Sequence, residues 1–214
     1  MRMGRRIVVG ITGASGAAYA QRTVQLLVAA RVQTHLVVSP LGQRLLHDEL
    51  GMEGIDVQAL VDSDSAPALA ELVHVYNVRD VGASIASGSF PHDGMIIVPC
   101  SSNTLAAVAS GSQQNLLHRA ALVTLKERRR LILVHREMPL SLIDIRNMAS
   151  VTEAGGIVCP ASPGFYMLPQ SVQDVVDFVV ARVLDLVGIE HELGVRWGTP
   201  GAKDTGRGAQ SASD

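Results

Sequence analysis

The chain has 214 residues, 47% of them apolar and 18% charged, with a formal net charge of −2. This describes one folded domain with a sizeable core, and it excludes a disordered chain and a generally basic nucleic-acid binder. Aromatic residues are only 3%, so the core falls to Val, Leu, Ile and Ala, as in a parallel sheet covered by helices.

Residues 5–12, RRIVVGIT, read as a first strand, followed by a glycine-rich turn and a helix to about residue 30. Arg2, Arg5 and Arg6 before this apolar run, with AAYA at 17–20, imitate a secretory signal. The intervening Gly10, Thr12, Gly13, Ser15 and Gly16 suit a turn instead, so secretion is not expected. Residues 33–39 form a second strand and 41–50 a helix; 61–72 suggest a capped helix and 73–77 a short strand. Short buried strands follow at 94–100, 130–135 and 155–160. Helical periodicity covers 115–129, 140–155 and 171–188, the last with Ser171 as N-cap. No apolar run reaches the roughly 18 residues of a membrane span.

Strand, loop and helix alternate, so the expected fold is α/β: a doubly wound, mostly parallel Rossmann-like sheet with helices on both faces. One domain is expected over residues 1–197, and the Gly, Ser, Ala and charged residues of 198–214 are expected to be disordered. The two cysteines, Cys100 and Cys159, are too few for a secreted disulfide framework and point to a cytoplasmic setting. Neither has metal-ligand spacing, so no metal is expected.

In such sheets ligands sit beyond the carboxyl ends of the strands. The first of these loops is spaced G-x-x-G-x-x-G over Gly10, Gly13 and Gly16. Its backbone N–H groups and Ser15 can receive a phosphate, or its glycines can serve packing alone. The second strand ends in Val37, Val38, Ser39 and Pro40, with no acid to hold a ribose, which favours a mononucleotide over NAD. Ser101, Ser102, Asn103 and Thr104 follow the strand at 94–100, fit to cap a helix or to bind a heterocycle or sugar phosphate. Arg136 and Glu137 read as a surface ion pair, and Tyr166 stands on a Pro-rich loop. Arg119 and Lys126, seven apart, share a helix face; Arg128, Arg129 and Arg130 read as a solvated helix end. Arg182 interrupts an apolar helix on a face shared with Asp174, Asp177 and Asp185, as in a solvent-facing ion pair. The residues alone support an α/β mononucleotide-binding enzyme.

Taken in order, GITGASGAAYA, LVVSP, VRDVGASIASGSF, GMIIVPCSSNTLA, LLHRAALVTLKERRRLILVHREMPL, NMASVTEAG and PGFYMLPQSVQDVVDFVVARVLD resemble the UbiX-type flavin prenyltransferases, from about residue 6 to Trp197. The resemblance implies an FMN-binding domain that joins a dimethylallyl group from dimethylallyl phosphate to N5 and C6 of reduced FMN. The product, prenylated FMN, would pass to a UbiD-type decarboxylase. It places FMN contacts on Gly13, Ala14, Ser15, Ser39, Ser101, Ser102, Asn103, Thr104 and Arg136. Dimethylallyl phosphate contacts fall on Tyr166 and Arg182, with Arg119, Lys126 and Glu137 closing the phosphate pocket. Glu49 and Trp197 match positions near the substrate. Family members form dodecamers with sites between subunits, so a homo-oligomer is expected. One departure is Gly164, where the family commonly has Ala.

The chemistry suits these residues. Cations and the Tyr166 hydroxyl would stabilise a departing phosphate, Glu137 would protonate it, and Glu49 would move a proton in the second bond-forming step. The rivals on the same fold are an FMN-dependent cysteine decarboxylase and a flavin electron carrier. The first wants a catalytic His, for which neither His35 nor His47 has the right surroundings; the second usually shields its flavin with aromatics, scarce here.

Overall fold

The structure, a computed structural model, describes residues 4–61 and 71–193. Trp197, the segment 198–214 and nearly all of the helix expected over 61–72 lie outside the described residues. The strands are β1 (Arg6–Ile11), β2 (Gln33–Val38), β3 (Val73–Tyr76), β4 (Gly94–Cys100), β5 (Arg130–His135) and β6 (Ile157–Val158). They form one sheet in the order β3-β2-β1-β4-β5-β6, with every pairing parallel. The helices are α1 (Ala17–Ala29), α2 (Pro40–Leu50), α3 (Val57–Val61), α4 (Ser102–Ala109), α5 (Leu116–Lys126), α6 (Leu142–Glu153) and α7 (Val172–Val187).

The period of two in each strand sorts the core into two halves. Ile7, Val9 and Ile11 of β1, with Ile96 and Val98 of β4, pack among residues of α1, α2 and α7. Val8, Met95 and Ile97 point the other way, among residues of α4, α5 and α6. Both faces are covered, which is why these strands read as unbroken apolar runs. The strand order reverses between β1 and β4, and there the crevice for a ligand opens. Among the described residues no helix is long and apolar enough to cross a membrane.

Hydroxyl and amide side chains start the helices. Ser39, Ser101, Asn115, Ser141 and Ser171 each accept a backbone N–H in the first turn of α2, α4, α5, α6 and α7 respectively. The last strand is shorter than the sequence suggests, although Cys159 N–H still donates to Leu133 O and Ala161 N–H to His135 O. The arginines after α5 also depart from expectation. Arg129 donates to Gly88 O (2.7 Å) and Phe90 O (2.8 Å), and Arg130 to Leu186 O (2.6 Å), so these two are structural ties and not a solvated end. Arg5 donates to Val187 O and Gly188 O, so two guanidiniums satisfy the last carbonyls of α7, where the helix dipole favours positive charge.

At the β2–β3 edge, His35 is buried against His74, Tyr76 and Phe90, and its Nδ1 lies 2.9 Å from the Tyr76 hydroxyl. Burial first, then the neighbouring His74, Arg6 and His92, lower its pKa from 6.5 to about 4. The ring is therefore neutral in the fold, while the unfolded chain takes up a proton near pH 6.5. The stability it lends is whole above pH 6.5 and is lost as pH falls toward about 4. Denaturant midpoints measured across that window should fall less steeply for His35→Gln than for the native chain; equal slopes would remove His35 from the acid response.

Candidate functional site

Thr12, buried at the end of β1, joins the two strands that flank the crevice. Its hydroxyl donates to Pro99 O (2.8 Å) and accepts from Ser101 N (2.8 Å), while its own N–H also reaches Pro99 O (3.2 Å). Ser101 is thereby set as the N-cap of α4, its Oγ accepting from Thr104 N. On the other side Ser39 N–H donates to Ile11 O (2.9 Å), and Ser39 Oγ accepts from Gly42 N (3.0 Å). These contacts bring the starts of α2 and α4 to the glycine-rich loop. A Cβ on Gly13 would stand 2.5 Å from Leu41 Cβ, so the residue's lack of a side chain lets that loop touch α2.

A cavity of about 400 Å³ lies here, lined by Gly13, Ser15, Leu41, Arg44, Leu45, Asp48, Glu49 and Arg136. Leu41 and Leu45 offer apolar surface to a flat ring, and Arg44 and Arg136 offer charge to an anion. That donor set fits a flavin mononucleotide. Ala14 is buried behind the loop, whereas Ser15 is exposed. Arg136 donates from Nε to Ser15 O (3.2 Å) instead of pairing with Glu137.

The first loop departs from a phosphate cradle. Glu49 occupies its donors, accepting from Gly16 N (3.0 Å) and Ala17 N (2.8 Å). A carboxylate thus fills the N-terminus of α1, the place a phosphate would take. These two N–H groups, read from the sequence as donors to a phosphate, are engaged by Glu49.

Beside the cavity a polar group gathers where β5 ends. Ser102 Oγ lies 3.2 Å from His135 Nε2 and donates to Glu137 Oε2 (3.3 Å). Asp144, buried, belongs to the capping box of α6 and accepts from Ser141 Oγ (2.6 Å). The Ser141 hydroxyl first, and the Ser102 hydroxyl next, hold the Asp144 carboxyl below its ordinary range. Asn103 is exposed and Thr104 buried, the latter within reach of Ser101 Oγ (3.3 Å).

The remaining expected residues lie apart from this group in a single chain. Arg119 donates to Gln113 Oε1 (2.6 Å), and Lys126 pairs with Glu127 (3.0 Å). Lys126 precedes the first residue of β5 and Glu137 follows its last, so the six-residue strand puts about 20 Å between them. Tyr166 is exposed on a short helical turn and meets Phe178 edge-on at 5.7 Å. A Cβ on Gly164 would stand 2.6 Å from the Tyr166 ring, so Gly164 makes room for it. Arg182 is exposed near Cys159, a half-buried free thiol whose pKa burial raises and Arg182 lowers. The carboxylates expected to pair with it have other partners: Asp177 binds Arg22 (2.6 Å), Asp174 caps α7, and Asp185 faces His191 (3.4 Å). Trp197 lies outside the described residues.

Sequence reasoning passed over Thr12, His135, Asp144 and the α2 face of Leu41, Arg44, Leu45 and Asp48. The signal for that face was available: the four positions recur at helical spacing between the Ser39 cap and Glu49.

The family described as Flavoprotein matches residues 1–184. The flavin prenyltransferase UbiX of Halalkalibacterium halodurans is 46% identical, over 89% of this chain and 92% of its own length. Among solved structures, AnUbiX (PadA1) in complex with FMN and dimethylallyl pyrophosphate superimposes with a TM-score of 0.80 at 42% identity, covering 92% of this chain and 99% of that one. A dodecameric FMN-dependent UbiX-like decarboxylase from Escherichia coli O157:H7 also gives 0.80 at 42% identity, over 91% of this chain and all of its own.

Replacing Thr12 by Val keeps the shape but strips the half-buried Ser101 N–H of its acceptor, and should cost about 1 kcal/mol or more of unfolding free energy. Denaturant unfolding measures this, and a cost near zero would show that the strand ends hold without the hydroxyl. Gly13→Ala should weaken FMN binding about tenfold or more by fluorescence titration, as Leu41 is pushed from the loop.

Proposed function

The chain belongs to the flavoprotein family, among its UbiX-type flavin prenyltransferases, and we propose that it joins a dimethylallyl group from dimethylallyl phosphate to N5 and C6 of reduced FMN. The observation that carries this reading is the cavity at the carboxyl ends of the strands, lined by Ser15 after β1, Glu49 on α2 and Arg136 after β5, with Glu137 one residue beyond Arg136. Gly13, Ala14, Ser15, Ser39, Ser101, Ser102, Asn103, Thr104 and Arg136 hold the flavin. Reduced FMN would supply N5, which bonds to the allyl carbon as the C–O bond to phosphate breaks and the N5 proton leaves, and then C6, which bonds to the remaining alkene as the alkene takes up a proton and C6 gives up its own.

The residues of the chain provide the rest. Arg119, Lys126 and Arg182 hold the phosphate as its charge grows, and the Tyr166 hydroxyl donates to it. Glu137 delivers a proton to the departing oxygen, and Glu49, held at the cavity wall by Gly16 and Ala17, handles the proton of the second bond. Trp197 counts as a substrate-binding residue in this reading, on the resemblance alone. Because Lys126 and Glu137 lie at opposite ends of β5, the phosphate pocket is completed by residues of neighbouring subunits. An exposed apolar strip, Met138, Leu140, Leu142, Ile143 and Ile145, supports such an assembly, a dodecamer in this reading. The product serves a UbiD-type decarboxylase, and the free thiols Cys100 and Cys159 support a cytoplasmic site of action.

Mass spectrometry of the flavin after anaerobic incubation with reduced FMN and dimethylallyl phosphate tests the reaction. FMN heavier by one isoprenyl unit is expected; unmodified, bound FMN would return the cysteine decarboxylase and carrier readings. Arg182→Ala should lower prenylation about a hundredfold or more while FMN affinity holds, and loss of both would contradict its role. Co-assembled Lys126→Ala and Glu137→Gln chains should recover activity that neither has alone, since shared sites then include intact ones.

A further inference from the structure

Ser102 stands among three groups that compete for one hydroxyl proton. His135 Nε2 is 3.2 Å away, Glu137 Oε2 is 3.3 Å away, and the Asp144 carboxyl lies on its third side. If His135 carried its proton on Nδ1, the Ser102 hydroxyl would be drawn to Nε2 and turned from the carboxylates. With the proton on Nε2, the imidazole donates to Ser102, and the hydroxyl is free to donate outward. Only that tautomer agrees with the Ser102–Glu137 bond.

The setting holds His135 firmly. It ends β5, is 2% exposed, and its backbone carbonyl accepts from Ala161 N (3.0 Å). The charged groups facing it are Asp144 from α6 and Arg136 and Glu137 from the loop after β5. Glu137, by contrast, is exposed, and besides Ser102 the one hydrogen bond to its carboxylate among the described residues comes from the adjacent Met138 N–H (3.1 Å). An exposed carboxylate of this kind needs an anchor if it is to face a leaving group.

We infer that His135 is a positioning residue for Glu137: by donating from Nε2 to Ser102, it frees the Ser102 hydroxyl to donate to the Glu137 carboxylate and so helps hold that carboxylate toward the phosphate pocket. The inference rests on the prenyltransferase reading for what Glu137 does, but the orientation itself belongs to the resting protein. Asp144 is the competing acceptor: the Nε2–H donor takes the imidazole out of that competition and leaves the hydroxyl proton to the two carboxylates, of which Glu137 Oε2 lies at 3.3 Å.

The experiment compares His135→Asn, Ser102→Ala and the double variant. FMN affinity is read by fluorescence, prenylation by single-turnover mass spectrometry from pH 5.5 to 9, and the Glu137 carboxyl by infrared titration, assigned by its absence in Glu137→Gln. In His135→Asn the transfer step should slow about tenfold and the pH profile should move together with the Glu137 infrared titration. In the Ser102→Ala background the same substitution should add little, because the path from His135 runs through that hydroxyl. Full additivity of the two losses, or an unmoved Glu137 titration in His135→Asn, overturns the inference. Infrared titration needs no turnover, so a wild-type protein that fails to prenylate FMN would sink the functional reading and still leave the His135–Ser102–Glu137 coupling measured. Should His135→Asn fail to fold, His135→Gln, which can also place an amide N–H toward Ser102, is expected to keep the native profile; a displaced profile in that folded variant would count against the inference.

Discussion

The buried hydroxyl of Thr12 holds together the two strands on which the site depends. Two parallel strands diverge where the order of the sheet reverses, and their ends carry unpaired peptide groups. Thr12 closes that gap with bonds to Pro99 and Ser101, residues 87 and 89 positions away in the chain. The cap of α4, the line of the β4 loop and the position of Ser102 all follow from this stitch. Arg136 makes the next one, its backbone N–H on Cys100 O and its guanidinium on Ser15 O, so β1, β4 and β5 share one rim.

Charge is distributed unequally over the molecule. At the amino-terminal edge of the sheet, Arg5, Arg129 and Arg130 are committed to main-chain carbonyls, tying loops and the end of α7. At the carboxyl edge, Arg44 pairs weakly across a helix turn with Asp48, and Arg182 lies exposed beside Cys159. Arg5, Arg129 and Arg130 stabilise the fold through those carbonyls, whereas Arg182 is exposed. This division explains why the same residue type reads so differently along one sequence.

What was legible in the sequence was local. Ser39, Ser101 and Ser171 announce helix starts because a cap needs only the next three residues, and the alternation of apolar runs and helices announces the sheet. Contacts that span the chain left no such mark. Arg129 and Arg130 look like an ordinary basic helix end until Gly88, Phe90 and Leu186 are seen beside them. His135 reads as the last residue of an apolar strand, and Asp144 draws no reading at all, because Ser102 is 33 residues from the one and 42 from the other. The family resemblance supplied most of the remaining site residues, but not how they meet: one chain holds Lys126 and Glu137 apart.

The carboxylate that fills the α1 N-terminus bears on molecular competition. Adenine nucleotides and pyridine dinucleotides are abundant in any cell, and folds of this strand order commonly receive their pyrophosphates at that helix start. Here such a guest would have to displace Glu49 from Gly16 and Ala17 and then lie against a charge of its own sign. The start of α1 therefore offers an incoming pyrophosphate no free donor at these two N–H groups and a like charge beside them.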